Sequence, residues 1–212
     1  MTPQAGATPA ASGLDAPTNA AWASVDLALS APRLLSFLAD FERLYRLNPH
    51  LEIVQWRQPP QPGCFWIESI NELNGHRGRV TLNAITLADG SCDLIEYESG
   101  LKRATELRVE AVGAGSRLTI TEHYHDVTGD APDRLGEVDR SLVPWIGAIR
   151  RHLRGVARFG RWPGYVWWTQ RFMPGMPPRQ RRIVRMIVWV SVLEFVVFLA
   201  VALIFWLEAR QA

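Results

Sequence analysis

The segment "SRLTITEHYHDV" (residues 116–127) combines an acid, a phenol and two imidazoles, which are groups that can transfer protons or bind a metal. Its apolar and polar residues alternate, which predicts a β-strand with successive side chains on opposite faces. The leucine and isoleucine of this stretch mark one face as inward-facing, so Glu122 and Tyr124 should follow them into the interior. His123 and His125 then fall on the other face, where a solvent-exposed polar strand surface is the alternative to a proton shuttle or a metal site.

Two preceding segments show the same alternation and should contribute to the same interior face. In "DLIEYES" it turns Ile95 and Tyr97 inward, and in "RATELRVEAV" it turns inward Thr105, Leu107, Val109 and Ala111. The resulting lining is mostly apolar with a few hydroxyls, which is typical of a site for a hydrophobic ligand. The predicted ligand contacts are Tyr97, Thr105, Leu107, Glu122 and Tyr124.

Evidence for catalysis is weaker than evidence for binding. Glu122 could be a hydrogen-bonded structural acid or a general base, and the sequence leaves both open. No Ser/His/Asp order, glycine-rich phosphate loop, paired carboxylates or Cys/His metal spacing stands out. The sequence therefore predicts no catalytic residue, no metal and no cofactor, and it does not decide whether the protein is an enzyme.

The elements that must position these residues are one strand, two short helices, six strands and one long helix. "WASVDLAL" is the first strand, "SAPRLLSFLADFERLYRLNP" holds the short helices, and six strand-like segments follow up to about residue 127. Short connections rich in turn formers predict antiparallel hairpins. "APDRLGEVDRSLVPWIGAIRRHLRGVARF" then has apolar residues at helical spacing and a proline, Pro144, at which it should bend. An α+β fold follows, with a seven-stranded antiparallel sheet covered by the long helix and a pocket between them.

This order resembles the START-like, or SRPBCC, superfamily, the helix-grip proteins related to birch-pollen allergen. The closest local match is "SAPRLLSFLADFERLYRLNPHLEIVQW". Many bacterial members share its alanine-proline helix start, the aspartate between the short helices and a tryptophan-asparagine-proline turn, in which Leu47 replaces the tryptophan here. The resemblance covers roughly residues 20–158 and implies a β-α-α-β6-α domain with a cavity for hydrophobic small molecules.

The resemblance also suggests the class of ligand. Relatives carry lipids, sterols or quinones, and some are aromatase/cyclases or hydrolases. Two branches are relevant: coenzyme-Q-binding START-like proteins, and the membrane-anchor subunit of carbon-monoxide dehydrogenases, which is similar in plan. A quinone, an isoprenoid or another lipid is therefore the expected ligand. The alternatives are an accessory or assembly subunit of a membrane complex and a membrane-bound enzyme of the cyclase/hydratase type that uses Glu122 with a tyrosine.

A second feature is the apolar run from Met186 to Leu207, 22 residues in which Ser191 and Glu194 are the only strongly polar members. A helix of this length spans roughly 33 Å, close to the hydrocarbon thickness of a bilayer. We therefore expect a transmembrane helix over 183–207, with a buried soluble helix as the alternative. Glu194 either crosses the bilayer protonated or bonds a partner helix or its own copy in a homo-oligomer.

The linker "FGRWPGYVWWTQRFMPGMPPRQRR" (159–182) places aromatic side chains and arginines directly before this run. Tryptophan and tyrosine favour the headgroup level, and arginines are attracted to anionic lipid. The predicted membrane-interface residues are Trp162, Tyr165, Trp167, Trp168, Arg171, Arg181 and Arg182. The alternative is a packed linker whose aromatics cover the domain. Nucleic acid is not an expected partner, because the adjacent span already accounts for the arginines.

Charge and targeting signals predict the orientation. Residues 1–130 hold 16 acids and 10 bases, whereas residues 131–182 hold 3 acids and 11 arginines. Basic flanks stay on the cytoplasmic side, and the first 19 residues lack the features of a secretory signal and have the composition of a disordered leader. We therefore expect a single-pass, tail-anchored protein of a bacterial-type inner membrane, with its domain in the cytoplasm, a short tail at 208–212 and free thiols at Cys64 and Cys92.

Overall fold

The computed structural model describes residues 20–86, 92–125 and 132–211, so the leader predicted at 1–19 lies outside the described residues. Its elements are β1 (Ala20–Leu27), α1 (Ala31–Leu38), α2 (Phe41–Arg46), β2 (Leu51–Arg57), β3 (Cys64–Asn71), β4 (Arg77–Thr86), β5 (Cys92–Tyr97), β6 (Lys102–Val112), β7 (Gly115–Tyr124), α3 (Pro132–Phe159), α4 (Pro163–Trp167), a π-helical turn (Trp168–Phe172) and α5 (Pro178–Gln211).

The strands form one antiparallel sheet in the order β1-β7-β6-β5-β4-β3-β2. Strands β2 to β7 follow one another as hairpins, and β1 joins the sheet beside β7. Gly113 adopts a positive φ of 57° in the two-residue turn between β6 and β7, a conformation that glycine reaches without steric cost. The predicted seven-stranded sheet and the β-α-α-β6-α order are confirmed.

The core lies between the inner face of this sheet and α3, with α1 and α2 closing one side. Leu142, Trp145 and Ile149 lie on one face of α3 at three- and four-residue spacing and are buried. The Trp145 indole Nε1 donates a hydrogen bond to the Leu44 carbonyl, 2.9 Å away, and so joins α3 to α2. The chain remains helical through Pro144.

Asp40 stabilises the turn, or corner, between the short helices α1 and α2. Its carboxylate caps α2 by accepting a 3.0 Å hydrogen bond from the Arg43 backbone N–H, and it also forms an ion pair with the Arg43 guanidinium. Leu34 and Leu38 on α1 point into the core and are fully buried. The corner therefore places α2 beside the sheet, where it closes one side of the core.

Helix α5 is 34 residues long and contains the predicted span. In the described part of the chain it is the one helix long and apolar enough to cross a membrane, and the large apolar side chains of its span are exposed. Length and composition thus support the predicted transmembrane helix.

His152 on α3 provides a pH-dependent contribution to stability. Its ring lies 5.7 Å from the Phe37 ring, and burial, together with the nearby Arg43 charge, lowers the pKa of His152 to about 4. The unfolded chain binds this proton near pH 6.5, so the folded state loses up to about 3 kcal/mol as pH falls from 6.5 towards 4. We expect the free energy of urea unfolding of the full chain in mild detergent to fall less steeply over this range in His152→Gln. An equal fall in both proteins would contradict this assignment.

Candidate functional site

An ion pair between a buried carboxylate and a partly buried lysine lies on the inner face of the sheet. Glu122 on β7 is 0% exposed, and its two carboxylate oxygens accept hydrogen bonds from the Lys102 ammonium group and, at 2.6 Å, from the Tyr124 hydroxyl. Burial acts to lower the pKa of Lys102, but the charge of Glu122, the nearby Tyr97 and the hydrogen bond to Glu122 together outweigh it, so the pKa is raised and the lysine is charged at neutral pH. Glu122 is thus a compensated buried charge.

A β-bulge brings Lys102 to this face. The pairing of β6 with β7 shifts between Lys102, opposite Tyr124, and Ala104, opposite His123, so Arg103 is an extra residue in β6. Lys102 and Thr105 are three positions apart and would point to opposite faces of a regular strand. Simple alternation therefore did not predict Lys102 as a site residue.

Hydroxyl groups extend the site from the sheet to α2. The Tyr97 hydroxyl lies 2.9 Å from the Thr105 hydroxyl and 2.6 Å from the Tyr45 hydroxyl. Burial raises the pKa of Tyr45 well above its ordinary value and also raises the pKa of Tyr97, so both phenols stay protonated and can donate hydrogen bonds. Tyr45 was not predicted, because α2 has only six residues and periodicity does not define its inward face.

Hydrogen bonds form two groups, and these adjoin where Thr105 lies opposite Glu122 in the pairing of β6 with β7. We define the polar cluster as both groups together: Tyr45, Tyr97, Lys102, Thr105, Glu122 and Tyr124. The structure brings together all four of its members that alternation predicted, and it places Leu107 beside them as a fully buried apolar residue. Ala111, also predicted to face inward, is exposed near the hairpin end of β6.

His123 lies on the outer face, as predicted, but it is 6% exposed and does not point into solvent. Its imidazole Nε2 lies 3.4 Å from a Glu106 carboxylate oxygen, and the Arg108 guanidinium binds the same carboxylate at 2.9 Å. Long polar side chains on the outer face therefore bury this histidine. Among the described residues there is no cluster of three metal-ligating side chains.

A surface cavity of about 470 Å³ lies between the α1–α2 corner and strands β2 and β3. It is lined by Ser36, Ala39, Asp40, Phe41, Glu42, Trp56, Gln58 and Phe65. The Trp56 ring contacts both the Phe65 ring, at 5.4 Å between centroids, and the Tyr45 ring, at 6.1 Å. Trp56 is thus adjacent to the cavity and to one end of the cluster.

The first turn of α5 is bound to the domain. Arg181 is 7% exposed, and its guanidinium donates hydrogen bonds to the Met176 carbonyl, at 2.7 Å, and to the Arg46 carbonyl at the end of α2. Arg182 forms a 2.6 Å ion pair with Glu72. The structure therefore places Arg181 and Arg182, predicted at the lipid interface, in contacts with the domain.

The linker divides between packing and exposure. The Tyr165 hydroxyl occupies the space above Gly155 of α3, where a Cβ atom would lie 2.0 Å from it, and the Tyr165 ring lies 5.4 Å from Phe159. Trp162 and Trp167, in contrast, are 72% and 54% exposed. Tyr165 therefore fits the alternative of a packed linker. For the exposed Trp162 and Trp167, a position at the lipid interface remains a prediction.

The remaining predicted residues lie on exposed or partly exposed surfaces. Trp168 stacks on Phe172 with 4.9 Å between ring centroids, and Arg171 is exposed on the same turn. Glu194 lies on the exposed part of α5. Their contacts with lipid or with a partner helix remain predictions.

No family model and no curated protein matches the chain. Similar solved structures include XoxI from Bacillus cereus, with 10% identity and a TM-score of 0.52 over 66% of this chain and 99% of that one. The KanY protein has 14% identity and a TM-score of 0.52 over 64% and 97% of the two chains. A START superfamily protein from Mycobacterium smegmatis has 15% identity and a TM-score of 0.49 over 64% and 97%.

At these identities the likeness to XoxI and KanY concerns the fold alone. It covers about two thirds of this chain and nearly all of each of those. Together with the strand order and the long helix α3, it confirms the predicted helix-grip fold.

The ion pair generates a stability prediction. Replacing Lys102 by Met leaves the Glu122 carboxylate buried without its counter-charge, which should cost about 3–5 kcal/mol of unfolding free energy at pH 7. Arg79→Met, which removes an exposed arginine 3.5 Å from Glu68, is the matched control and should cost less than about 1 kcal/mol. Equal losses in both variants would contradict the buried-pair assignment.

A second prediction concerns the attachment of α4. Gly155→Ala adds a methyl group where the Tyr165 hydroxyl lies, so it should displace Tyr165 and lower Tm by several degrees, although alanine favours helix. Gly164→Ala is the control, because its added methyl group meets nothing within 4 Å. Thermal unfolding and limited proteolysis after residue 160 measure both effects. A Gly155→Ala protein as stable and as resistant as Gly164→Ala would show that Tyr165 does not hold the linker.

Proposed function

We propose that the helix-grip domain binds a hydrophobic small molecule of the quinone, isoprenoid or lipid class and carries or presents it at the cytoplasmic surface of a membrane spanned by α5. The observation that supports this most directly is the polar cluster on the inner face of an otherwise apolar interior, in which Tyr45, Thr105, Glu122 and Tyr124 are buried. Trp56 contacts Tyr45 of this cluster and also lines the surface cavity. A few oriented polar groups within apolar walls are what such ligands require.

The chemistry of the cluster suits a ligand with carbonyl or hydroxyl groups at one end. Tyr45 and Tyr97 are protonated donors, and Lys102 is a charged donor. The hydrogen bond between the two phenols joins α2 to the sheet, so it is the contact that a ligand oxygen can replace by a small movement of α2. The apolar body of the ligand would then lie against Trp56 and Leu107.

Binding accounts for the cluster better than catalysis does. Both carboxylate oxygens of Glu122 already accept hydrogen bonds, from Lys102 and Tyr124, and the ammonium group compensates the charge. A general base needs an available oxygen near the substrate proton. The cyclase or hydratase alternative would therefore require this ion pair to open during turnover.

The entrance we propose is the cavity between the α1–α2 corner and the end of β2, including the loop "PPQPG" at 59–63. The wall of this cavity that α2 forms is connected to α5 through Arg46. The Arg46 guanidinium binds Glu42 in the cavity wall at 2.8 Å, while the Arg46 carbonyl accepts a hydrogen bond from Arg181. This chain of contacts supports a ligand path close to the proposed membrane anchor.

A second candidate function is an accessory or assembly subunit of a membrane complex. It is favoured by one observation, the carboxyl group of Glu194 in the exposed apolar part of α5. An acid in such a position is costly in lipid unless it is protonated or partnered.

The test is mass spectrometry of organic extracts from the full chain purified in mild detergent. We expect one quinone or isoprenoid lipid at near-stoichiometric amount. Tyr97→Phe removes only a hydroxyl and should reduce its retention about five- to tenfold, the effect of losing about one hydrogen bond. Thr121→Val, on the outer face of β7, is the control and should retain the ligand fully.

Three results would overturn parts of the proposal. If the Tyr97→Phe protein retained the ligand fully, the polar cluster would not be part of the ligand site. An extract without any such molecule, together with a stoichiometric partner protein, would favour the assembly subunit. Turnover of the retained molecule that Glu122→Gln abolishes, with binding intact, would favour the enzyme.

A further inference from the structure

A second concavity, of about 720 Å³, lies beside α2, where the end of α3, α4 and the π-helical turn meet. We call it the arginine groove. It is lined by Arg43, Gly160, Arg161, Pro163, Val166, Trp167, Gln170 and Arg171. Three guanidinium groups thus border it, and no lining residue is an acid.

The charge of the arginine groove is only partly compensated. Arg43 forms a 3.0 Å ion pair with Asp40, which lies outside the lining. Arg161 and Arg171 are exposed, and within the part of the chain that the structure describes neither forms an ion pair. Guanidinium groups match the geometry of phosphate oxygens, which accept paired hydrogen bonds from them. The arginine groove therefore has the chemistry of a site for a phosphate-bearing anion.

The position of the arginine groove identifies the source of that phosphate. The π-helical turn leads to Met176, whose carbonyl Arg181 binds at the start of α5. The span expected over 183–207 begins five residues after Pro178, a rise of about 8 Å along α5. This rise is comparable to the headgroup layer of about 5–8 Å on each side of a bilayer, so the first turn of α5 would lie at the headgroup level. Trp167, which lines the groove, is more than half exposed, and indole groups favour the level of the lipid headgroups.

We propose that the arginine groove binds the phosphate headgroup of an anionic phospholipid, with Arg161 and Arg171 as its phosphate contacts. The site is distinct from the polar cluster and does not depend on the identity of the hydrophobic ligand. It rests on the proposed membrane anchoring by α5, because the span sets the groove at the headgroup level. The headgroup would fix the orientation of the domain on the membrane surface.

The experiment uses the full chain in nanodiscs of phosphatidylcholine with a minor fraction of phosphatidylglycerol. Native mass spectrometry after release into mild detergent measures which lipid remains bound. We expect preferential retention of phosphatidylglycerol, reduced more than about tenfold in Arg161→Gln/Arg171→Gln, since each arginine near an anionic surface contributes roughly a fivefold gain. Arg33→Gln/Arg154→Gln removes the same charge from exposed positions outside the groove and should change retention by less than about twofold.

Several outcomes would overturn the headgroup site. They are equal retention by wild type and the groove variant, an equal loss in the control variant, and release of the lipid by low concentrations of free phosphate or of an oligonucleotide. Flotation with vesicles of phosphatidylcholine alone separates this proposal from the anchoring on which it rests. The groove variant should float as wild type does, whereas a wild-type chain that does not float would refute the anchor and the headgroup site together.

Discussion

The interior of this domain depends on compensation of one buried carboxylate. An ionised acid without solvent is tolerated only when opposite charge and hydrogen bonds replace water, and Glu122 receives both from Lys102 and Tyr124. Lys102 reaches it only because β6 carries a bulge at Arg103. The bulge, the ion pair and the register of β6 with β7 are therefore parts of a single arrangement.

A chain of hydroxyl groups connects the sheet, next to this ion pair, with α2. Thr105 stands opposite Glu122 in the pairing of β6 with β7, and its hydroxyl contacts Tyr97, which contacts Tyr45 on α2. The Trp145 indole of α3 donates a hydrogen bond to the Leu44 carbonyl of α2, and its ring lies 5.4 Å from the Tyr45 ring. The sheet and α3 thus hold α2 between them by directional bonds as well as by apolar packing. This explains how a six-residue helix, too short to be stable alone, has a defined position.

Sequence pattern predicted the features that depend on local periodicity and missed those that depend on departures from it. Alternation identified the inward faces of β5 to β7, including Tyr97, Thr105, Glu122 and Tyr124. It could not identify Lys102, because a bulge changes the face within a strand, or the burial of His123, because neighbouring long side chains cover it. Composition also treated the arginines before the span as equivalent, whereas Arg181 bonds two backbone carbonyls and Arg171 is exposed. Only the three-dimensional path of the linker separates these two environments.

Helix α2 is the element shared by all the sites described here. Tyr45 belongs to the polar cluster, Glu42 lines the cavity beside Trp56, and Arg43 borders the arginine groove. The Arg46 carbonyl accepts a hydrogen bond from Arg181 of α5. A ligand that replaces the bond between Tyr45 and Tyr97 must shift α2, and α5 holds the end of that helix. Ligand binding and the contact between domain and anchor are then linked, and linkage between binding events is reciprocal. Under the proposed function, a stronger contact between α5 and α2 would also shift the equilibrium of the proposed ligand, so α5 would contribute to binding as well as to the location of the domain.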